Sequence, residues 1–556
     1  MTIPTVLPPL VTTPDELRWD DSADVVVVGL GGAGACAAIE AADQGAHVVA
    51  IDRLVGGGDT AMSGGVVYAG GGTPAQVAAG YSDTIEATYA YLRQEVGGAV
   101  PDAALRRFCA ESGANLEWLQ EQGVAIGGRL WPHKTAYPPD GYFLYFSGSE
   151  QTGPFDREAP PAPRAHRTHG KGMGVGAHFF RALEASAVRR GVRIRTQTRA
   201  RRLVVDPDGR IVGVECLIFP DERSRRRHER VARLARSLPP LVSLGPAPPV
   251  LFGTLRRLEA RHQTEVVRLR ARGGVVLATG GYQHNRRLIG QHAPYAQKLL
   301  TIGLDANGAG ILLGRTVGAA TGFMDNVGVF RMFIPPLAFG KGMLVDAEGR
   351  RFANELWYSG RVGKAMTTLP GGKAYLILDA RLAAAARAEL PGLHIFNSAP
   401  ARLWLALAKK ADSPTGLAAR LGVPPAALAA SVTEYNATAG GAPDRFGKAP
   451  ASCAALTEPP LVALDLSLYN RSVPATTFSL GGLEVSGETG EVLSEGGGAI
   501  PGLYAAGRAA VGLCSSSYVS GLSLADCVFS GRRAGAHAAR VAQFAPDHGG
   551  QPDAAT

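Results

Sequence analysis

The first patterned part of the chain consists of continuous apolar runs separated by glycines and an alanine-rich segment. Residues 25–28 read VVVV and residues 47–51 read HVVAI. Short continuous apolar runs are typical of strands that are buried on both faces of a parallel sheet. The pattern therefore predicts a strand, a glycine turn, a helix and a second strand between Val25 and Ile51.

Helical and strand patterns alternate along much of the remaining chain. They predict helices over residues 74–97, 102–113, 114–122, 176–190 and 523–541, and strands over residues 192–196, 200–205, 211–215, 275–281 and 502–507. The turn PDG at 207–209 joins two of these strands into a hairpin-like pair. A second region, about 300–465, interrupts the series. The alternation predicts an α/β fold whose nucleotide-binding domain is interrupted by a second domain and completed by the C-terminal segment.

The glycines after the first predicted strand have the G-x-G-x-x-G spacing of a dinucleotide-binding turn. Gly29 would form the tight turn, Gly31 would let the backbone approach a pyrophosphate, and Gly34 would let helix and strand pack closely. The pyrophosphate charge would lie at the helix N-terminus. Asp52, at the end of the second strand, would accept a hydrogen bond from a ribose 2′-OH.

A plain α/β turn without a ligand is the alternative interpretation of these glycines. It leaves the second glycine cluster, residues 56–72, without an explanation. Each glycine costs a regular element about 0.5–1 kcal/mol relative to alanine. A run of this kind instead suits backbone that wraps against a large flat ligand.

Composition limits the other functional classes. The six cysteines are scattered without a C-x-x-C pair, so we expect reduced thiols and no metal site. No apolar run is long enough for a transmembrane helix, and no signal peptide is evident, so a cytoplasmic enzyme is the expectation. The net charge is +9, but the basic runs lack interleaved aromatics, which argues against a nucleic-acid partner.

Residues 217–268 have the character of an insertion. Two arginine-rich helical patterns flank the apolar, proline-containing segment 238–252, which suggests a helical hairpin with an apolar tip. Solvated helix faces on a variable surface excursion are one interpretation of this segment. A peripheral membrane surface or a subunit contact that helps an apolar substrate to enter is the other.

Motifs along nearly the whole chain resemble the fumarate reductase/succinate dehydrogenase-type flavoproteins. They are the glycine clusters, ATGG at 278–281, GRRFANE at 349–355, LGGLEV at 480–485 and the segment from GLYAAGR to GRRAG at 502–535. Within that superfamily, GGGDTAMSGGVVYAGGGT at 56–73, PPDGYFLYFSGSE at 138–150 and SSYVSGLSLAD at 516–526 are most similar to the 3-ketosteroid Δ4-(5α)-dehydrogenase branch. The Δ1-dehydrogenases are its close relatives.

The resemblance implies a Rossmann-type FAD-binding domain with an inserted α+β substrate-capping domain. The expected boundaries are 20–298 and 466–545 for the FAD-binding parts and 299–465 for the capping domain. The chain lacks the histidine that fumarate reductases carry before the LGG segment, and it lacks the flavin-linking histidine near Met62–Gly65. Non-covalent FAD and a non-dicarboxylate substrate are therefore expected.

The cofactor-binding residues implied by the motifs lie in seven short segments. They are Gly29, Gly31, Gly32, Ala33, Gly34, Asp52, Arg53, Gly58, Asp59, Thr60, Ser63, Gly64, Gly65, Arg202, Leu203, Ala278, Thr279, Gly280, Gly507, Arg508, Ser523 and Leu524. An acidic residue is common in the family where Ala309 stands here, so a contact at that position is in doubt.

Desaturation next to a ketone needs a base for the α proton, a hydride acceptor, and a donor that stabilises the carbonyl oxygen. The resemblance places the base at Tyr518, its hydrogen-bonded partner at Ser520, and a second tyrosine hydroxyl across the substrate slot at Tyr358. Gly521 would donate its N–H to the ketone. Packing of the two tyrosines against the flavin or in the core is the alternative for each.

Several other residues have two open interpretations. The run Tyr142, Phe143, Tyr145 and Phe146 suits a steroid slot and suits a protein core equally, and Tyr68 would line the flavin or pack in the core. Glu355 and Arg351 are expected to form structural hydrogen bonds, although an acidic residue of this region relays protons in the dicarboxylate branch. His166 and His284 have no ligand-spaced partners.

The resulting hypothesis is an FAD-dependent 3-ketosteroid dehydrogenase with an apolar steroid substrate and an unidentified electron acceptor. The Δ4-(5α) reaction is favoured over the Δ1 reaction. A fumarate-reductase-like ene-reductase acting on a non-dicarboxylate acceptor remains as a second enzymatic reading. A flavin-binding, membrane-docking protein without turnover is the non-enzymatic one.

Overall fold

A nine-stranded sheet is the largest element of the computed structural model, which describes residues 6–135, 137–237 and 247–544. Along the sheet, neighbouring strands follow the order Leu10–Val11, Arg199–Val205, Ile211–Ile218, Glu265–Leu277, Asp21–Val28, Val48–Ile51 and Arg193–Arg195. Ala499–Ala505 pairs in parallel with the end of Glu265–Leu277, and Glu491–Leu493 pairs with Ala499–Ala505. The sheet thus joins an early and a late part of the chain.

The predicted strand–turn–helix–strand unit is present. Asp21–Val28 and Val48–Ile51 are parallel neighbours, and the helix Gly32–Asp43 connects them. All four valines of 25–28 are buried. Burial on both faces explains why the run shows no polar alternation.

The last helix, Leu522–Gln543, packs directly on the helix Gly32–Asp43. A Cβ at Gly531 would lie 2.5 Å from the carbonyl oxygen of Ala33, and one at Gly535 would lie 2.2 Å from that of Ala37. These two glycines let the helix backbones approach more closely than any side chain would allow. The GRRAG motif therefore brings the C-terminal helix to the first glycine turn.

Two helix predictions between residues 74 and 122 need correction. The helix expected over 74–97 is two helices, Pro74–Ala78 and Ile85–Val96, and each begins at a threonine side chain that accepts a backbone N–H. The helices expected on either side of Gly113 are one helix, Asp102–Glu121. Glycine lowers helix stability without ending a helix whose other residues form a buried face.

The remaining strands form four smaller sheets. Their strands are Leu300–Thr301, Thr476–Ser479 and Val327–Phe330; Thr321–Gly322 and Gly482–Leu483; Met343–Val345, Tyr375–Leu378, Leu461–Asp465 and Lys409–Ala411; and Val66–Tyr68, Ala165–Arg167, Leu144–Tyr145 and Leu130–Trp131. These sheets, the large sheet and the helices confirm the α/β class. The domain boundaries stay a prediction. Strands 476–483, which were expected in the FAD-binding part, pair with strands of 300–330 and not with the large sheet.

The other helices are distributed along the whole chain. They are Gly58–Met62, Phe155–Glu158, Gly176–Arg189, Glu222–Arg236, Ala247–His262, Arg286–His292, Ala309–Arg315, Leu337–Gly340, Ser359–Thr367, Ala380–Glu389, Ile395–Ala406, Pro414–Leu421 and Pro425–Ala439. Within the described ranges, no helix combines the length and the apolar character that a membrane crossing requires.

The insertion contains the two predicted arginine-rich helices, Glu222–Arg236 and Ala247–His262. They pack on each other and connect Ile211–Ile218 to Glu265–Leu277, two strands that are antiparallel neighbours. We call these two helices the hairpin insert. Most of the apolar tip predicted for it, residues 238–246, lies outside the described residues.

Candidate active site

A cavity lies at the carboxyl ends of four parallel strands of the large sheet. The strands end at Val28, Ile51, Leu277 and Ala505, and the residue that follows each of them lines the cavity. About 140 Å³ of this cavity is open to the centre of a water molecule. In open α/β sheets, ligands bind at this edge.

Many of the predicted cofactor-binding residues share this cavity. They are Gly29, Gly31, Gly32, Ala33, Asp52, Arg53, Gly58, Asp59, Thr60, Ala278, Thr279, Gly280, Gly507 and Arg508. The predicted cofactor-binding residues did not include Thr198, Arg199 and Ala200 or the loop residues Leu304 and Asp305, which also line the cavity. Leu304 and Asp305 belong to the segment GLDANGAGILLG at 303–314, whereas Thr198, Arg199 and Ala200 lie in no recognisable motif.

The first glycine turn leaves backbone open toward the cavity. A Cβ at Gly31 would meet nothing closer than 3.9 Å, whereas one at Gly34 would lie 1.9 Å from the carbonyl oxygen of Gly29. Gly34 thus serves helix–strand packing, as the motif predicts, and does not line the cavity. Gly32 donates its backbone N–H to the Thr60 hydroxyl over 3.0 Å, which fixes the turn against the second glycine cluster.

Asp52 uses both carboxylate oxygens on backbone N–H groups of its own turn and of the first glycine turn. They accept the N–H groups of Leu30 at 2.9 Å, Leu54 at 2.7 Å and Gly56 at 3.3 Å. The carboxylate therefore joins the two glycine clusters while it lines the cavity. Its contact with a ribose hydroxyl stays a prediction.

Some predicted cofactor residues lie away from this cavity. Arg202 forms an ion pair with Glu215 at 2.8 Å, and Leu203 is buried in the core of the sheet. Ser63 donates its hydroxyl to the carbonyl oxygen of Thr60 and accepts the N–H of Gly65. The side chain of Tyr137 packs over Gly64.

Arg202 and Leu203 lie beyond the part of their strand that lines the cavity. The cavity is reached by Thr198, Arg199 and Ala200, at the start of Arg199–Val205. Arg202 and Leu203 pair with Glu215 and Val214 of the neighbouring strand Ile211–Ile218. Ser523 and Leu524 also do not line it, and they form the first turn of the last helix.

Arg508 connects this cavity to a cluster of aromatic side chains. Its guanidinium forms an ion pair with Asp59, whose carboxylate also accepts a hydrogen bond from the Gln283 amide at 2.9 Å. The guanidinium carbon lies 4.7 Å from the ring centre of Phe478. One side of this arginine therefore faces the cavity and the other faces the aromatic cluster.

The aromatic cluster consists of Tyr518, Tyr358, Phe330 and Phe478. The ring centre of Tyr518 lies 5.3 Å from that of Phe330, 5.1 Å from that of Phe478 and 6.0 Å from that of Tyr358. Apart from Tyr518, which is half-buried, the rings are buried. The structure thus brings together the two tyrosines that the resemblance assigned to the chemistry.

Sequence reasoning missed the two phenylalanines. Phe330 ends the strand Val327–Phe330 and Phe478 lies in Thr476–Ser479, and antiparallel pairing of these strands places the two rings 4.9 Å apart. Phe330 lies in no recognisable motif, and Phe478 lies two residues before the LGG segment, where the sequence had indicated only the missing histidine.

The loop before the last helix is held by backbone contacts. Ser147 donates its hydroxyl to the carbonyl oxygen of Ser520 at 2.9 Å, and Tyr68 donates its backbone N–H to that of Gly521 at 3.0 Å. Gly521 has a φ of +94°, and a Cβ there would lie 2.9 Å from the Tyr68 nitrogen. Only glycine fits this position without strain.

Burial sets the protonation of the tyrosines. It raises the pKa of Tyr518, Tyr358 and Tyr145 above the ordinary phenol value. A backbone hydrogen bond from Gly521 acts on Tyr518 in the opposite direction, and Ser520 does so on Tyr145. All three phenols are neutral at neutral pH, so each can donate a hydrogen bond and none is a standing base.

The hairpin insert contacts the cavity wall through charged residues. Arg53 pairs with Glu259 of the insert at 2.9 Å and with Asp305 at 3.0 Å, and Arg256 of the insert also pairs with Asp305. Arg53 and Asp305 line the cavity on two different loops. These four residues, which we call the arginine–carboxylate bridge, hold both loops to the insert.

A family model described as FAD binding domain matches residues 24–521 of the chain. The chain belongs to this family of FAD-binding proteins. The flavoprotein is 38% identical to the 3-oxo-5-alpha-steroid 4-dehydrogenase of Comamonas testosteroni over 513 residues, which cover 89% of this chain and 94% of that protein. It is 28% identical over 551 residues to the 3-oxosteroid 1-dehydrogenase of Mycobacterium tuberculosis, covering 89% and 94% of the two proteins.

One solved structure extends these similarities to the fold of the flavoprotein. It is 3-ketosteroid-delta4-(5alpha)-dehydrogenase from Rhodococcus jostii RHA1 in complex with 4-androstene-3,17-dione, with a TM-score of 0.79 and 31% identity. The match covers 96% of this chain and 100% of that chain. These similarities confirm the resemblance inferred from the motifs.

The cavity of the flavoprotein fits its cofactor on structural grounds as well. Gly280 has a φ of +75°, lines the cavity and has nothing within 4 Å of a Cβ position. Gly31 at the start of the helix is similarly open, and that helix end favours negative charge. Open glycine backbone beside a helix N-terminus suits a pyrophosphate-containing ligand such as FAD.

Proposed function

We propose that this flavoprotein desaturates a 3-ketosteroid and that it introduces the C4–C5 double bond of a 5α-3-ketosteroid. The observation that carries the proposal is the placement of Tyr518 and Tyr358 in one aromatic cluster, next to an arginine that also lines the cofactor cavity. The relatives named as steroid dehydrogenases support the substrate class.

FAD, when bound, supplies the acceptor for the hydride from C5. The residues that line the large cavity, among them Asp52 and Arg508, would hold FAD without a covalent link. Tyr518 takes the proton from C4 while its own proton passes through Ser520, the partner that the resemblance assigns to it, to water. Tyr358 and the N–H of Gly521 donate hydrogen bonds to the ketone oxygen, which gains negative charge as the C4–H bond breaks. Phe330 and Phe478 give the steroid an apolar wall and exclude water.

Removing single hydroxyl groups tests these roles. We expect Tyr518→Phe to lower kcat by about 10²–10⁴-fold, the range for a lost acid–base group, with FAD content unchanged. Tyr358→Phe should lower kcat less, because the Gly521 N–H remains. Tyr469→Phe is a matched control, since this half-buried tyrosine lies outside the aromatic cluster and donates its hydroxyl to the carbonyl oxygen of Tyr295. Wild-type turnover in Tyr518→Phe would remove the assignment of the base.

Product analysis tests the position of the double bond. A 5α-3-ketosteroid incubated with an artificial electron acceptor should give the 4-ene product. The similarity to the Mycobacterium tuberculosis 3-oxosteroid 1-dehydrogenase makes the 1-ene the second candidate. Exclusive 1-ene formation would replace the Δ4 assignment, and no flavin reduction by any 3-ketosteroid would end the steroid proposal.

A membrane contact through the outer face of the hairpin insert is a further part of the proposal. Arg226 and Arg230 are exposed on Glu222–Arg236, and the apolar side chains of Leu234 and Val250 are 55% and 66% exposed. A basic face with apolar side chains suits the surface of an anionic bilayer. Such a contact would bring an apolar substrate close to the protein.

Vesicle sedimentation tests this contact. The protein should bind vesicles that contain phosphatidylserine and should not bind neutral phosphatidylcholine vesicles. The double variant Arg226→Glu/Arg230→Glu should lose the binding, whereas Arg387→Glu, an exposed arginine on Ala380–Glu389, should retain it. Equal binding to both kinds of vesicle, or none to either, would refute the contact.

A further inference from the structure

A second cavity borders the last helix, on a different face from the cofactor cavity. The consecutive residues Asp526 and Cys527 line one cavity each, since Cys527 faces the cofactor cavity and Asp526 faces the second one. About 280 Å³ of this second cavity is open to the centre of a water molecule, compared with 140 Å³ of the cofactor cavity. We call it the Asp526 cavity.

The walls of the Asp526 cavity are mostly apolar. Val100, Leu493 and Val511 line it and are half-buried, and the buried ring of Phe529 lines it from the helix. Phe323 contributes a further wall, and its φ of +56° lies in the left-handed region that bulky residues rarely adopt. Backbone outliers of this kind are concentrated at ligand sites.

Asp526 places a carboxyl group in this apolar cavity. The residue is 6% exposed, and the N–H of Leu513 is a hydrogen-bond donor to its carboxylate. A Cβ at Gly512 would lie 2.1 Å from Oδ2 of Asp526, so glycine at this position leaves room for the carboxyl group. Burial raises the pKa of Asp526 to about 6, so it is mostly ionised at neutral pH. A carboxylate has about four acceptor sites, and Asp526 can therefore accept a hydrogen bond from a ligand.

Arg533 lines the same cavity two helical turns further on. Seven residues separate it from Asp526, which corresponds to about 10 Å along the helix axis. Its guanidinium donates to the carbonyl oxygen of Gly487 at 3.0 Å, and it has further N–H donors. Each of the two charges acts on the other across this distance, but neither satisfies the other by a direct contact.

These features describe one class of ligand. It is apolar over about 10 Å, the separation of the two charged residues along the helix. It carries a hydrogen-bond donor at the Asp526 end and an acceptor at the Arg533 end. A steroid with a 3-ketone and a 17-hydroxyl has these two groups at opposite ends of a rigid apolar ring system. A steroid with ketones at both ends lacks the donor.

We propose that the Asp526 cavity is a second steroid site, which binds a 17-hydroxy-3-ketosteroid with its hydroxyl on Asp526 and its ketone on Arg533. The proposal rests on the proposed function for the steroid class. The described residues that line this cavity are distinct from those of the cofactor cavity and of the aromatic cluster, so a steroid here leaves the reaction site free. No covalent step is part of the proposal.

Equilibrium dialysis of the FAD-loaded protein with testosterone tests this site. Testosterone carries the 3-ketone and the 17-hydroxyl, and it already has the C4–C5 double bond, so it is not turned over by the proposed reaction. Wild-type protein should bind two equivalents per FAD, one of which perturbs the flavin absorbance. With 4-androstene-3,17-dione the second equivalent should bind at least about tenfold more weakly, because the carboxylate of Asp526 then lacks a donor.

Two substitutions locate the second equivalent. Asp526→Leu removes the acceptor and Val100→Trp fills the cavity, so each should lose the second equivalent of testosterone and keep the first, with FAD content unchanged. Val188→Trp, at an exposed valine on Gly176–Arg189, is the control and should bind two equivalents.

Three outcomes would overturn the second site as proposed. They are a single equivalent in wild-type protein, a second equivalent that persists in both variants, and equal affinity of the second equivalent for testosterone and the diketone. Failure of the proposed function is a separate result, because no saturated 3-ketosteroid would then reduce the flavin, whatever the number of equivalents bound.

Discussion

Alanine at Gly34 should separate the helix Gly32–Asp43 from the strand that precedes it. The new Cβ would lie 1.9 Å from the carbonyl oxygen of Gly29, whereas ordinary contacts begin at 3.4 Å. The helix start must therefore move by about 1.5 Å, the difference between 3.4 and 1.9 Å, or the turn must distort. Overpacking of this kind costs about 1–3 kcal/mol.

The same displacement affects cofactor binding, because Gly29, Gly31 and Gly32 line the cavity. If about 1.4 kcal/mol of the cost falls on the FAD-bound form, affinity for FAD drops about tenfold. We expect purified Gly34→Ala to contain clearly less FAD than wild type and to release it at a lower temperature. The flavin absorbance ratio and flavin fluorescence on heating measure both effects.

Gly113→Ala is the matched control for this substitution. Gly113 lies inside the helix Asp102–Glu121, and a Cβ there would meet nothing within 4 Å. This alanine should stabilise the protein by about 0.5–1 kcal/mol and leave FAD content unchanged. If Gly34→Ala retained wild-type FAD content and release temperature, the assigned close contact between helix and strand would be refuted.

Two further substitutions probe buried charge. Asp305→Asn removes the carboxylate between Arg53 and Arg256; breaking a buried pair costs about 3–5 kcal/mol, which we discount to about 1–2 because both arginines are partly exposed. FAD should then dissociate about 5- to 30-fold faster in a fluorescence release assay, while Arg226→Gln, exposed on the hairpin insert, should release it at the wild-type rate. Burial raises the pKa of Asp526 from 3.8 to about 6, so its contribution to the free energy of unfolding is complete below about pH 4 and is lost as pH rises through 6. Asp526→Asn should therefore raise the thermal midpoint more at pH 7 than at pH 4.5. At pH 7 the gain in the free energy of unfolding should reach up to about 3 kcal/mol. An equal shift of the midpoint at both pH values would contradict this linkage.

Local signals explain what could be predicted from the sequence. The unit between Asp21 and Ile51 was predictable because strand burial, glycine spacing and helical period all lie within one short segment. Gly113 misled the helix prediction, since the cost of one glycine is smaller than the gain from a helix whose face is buried. Both outcomes follow from residues close together along the chain.

Pairing between distant strands explains what could not be predicted. Whether Arg199 or Arg202 reaches the cavity depends on how its strand registers with Ile211–Ile218 and on where that pair sits in the sheet. Phe330 and Phe478 meet only through the pairing of Val327–Phe330 with Thr476–Ser479. These positions are set by contacts that no local pattern records.

The position of the hairpin insert has a consequence for how this protein can vary. The insert leaves the sheet at Ile218 and returns at Glu265, and these two residues are direct neighbours in the antiparallel pair. A turn of a few residues could close this pair. Insertions and deletions here leave the strands of the large sheet with the same neighbours. They do alter the surface that forms ion pairs with two loops of the cofactor cavity. The affinity for the cofactor can therefore differ between relatives, or be engineered, through changes in this insert that leave the folding of the sheet unaffected.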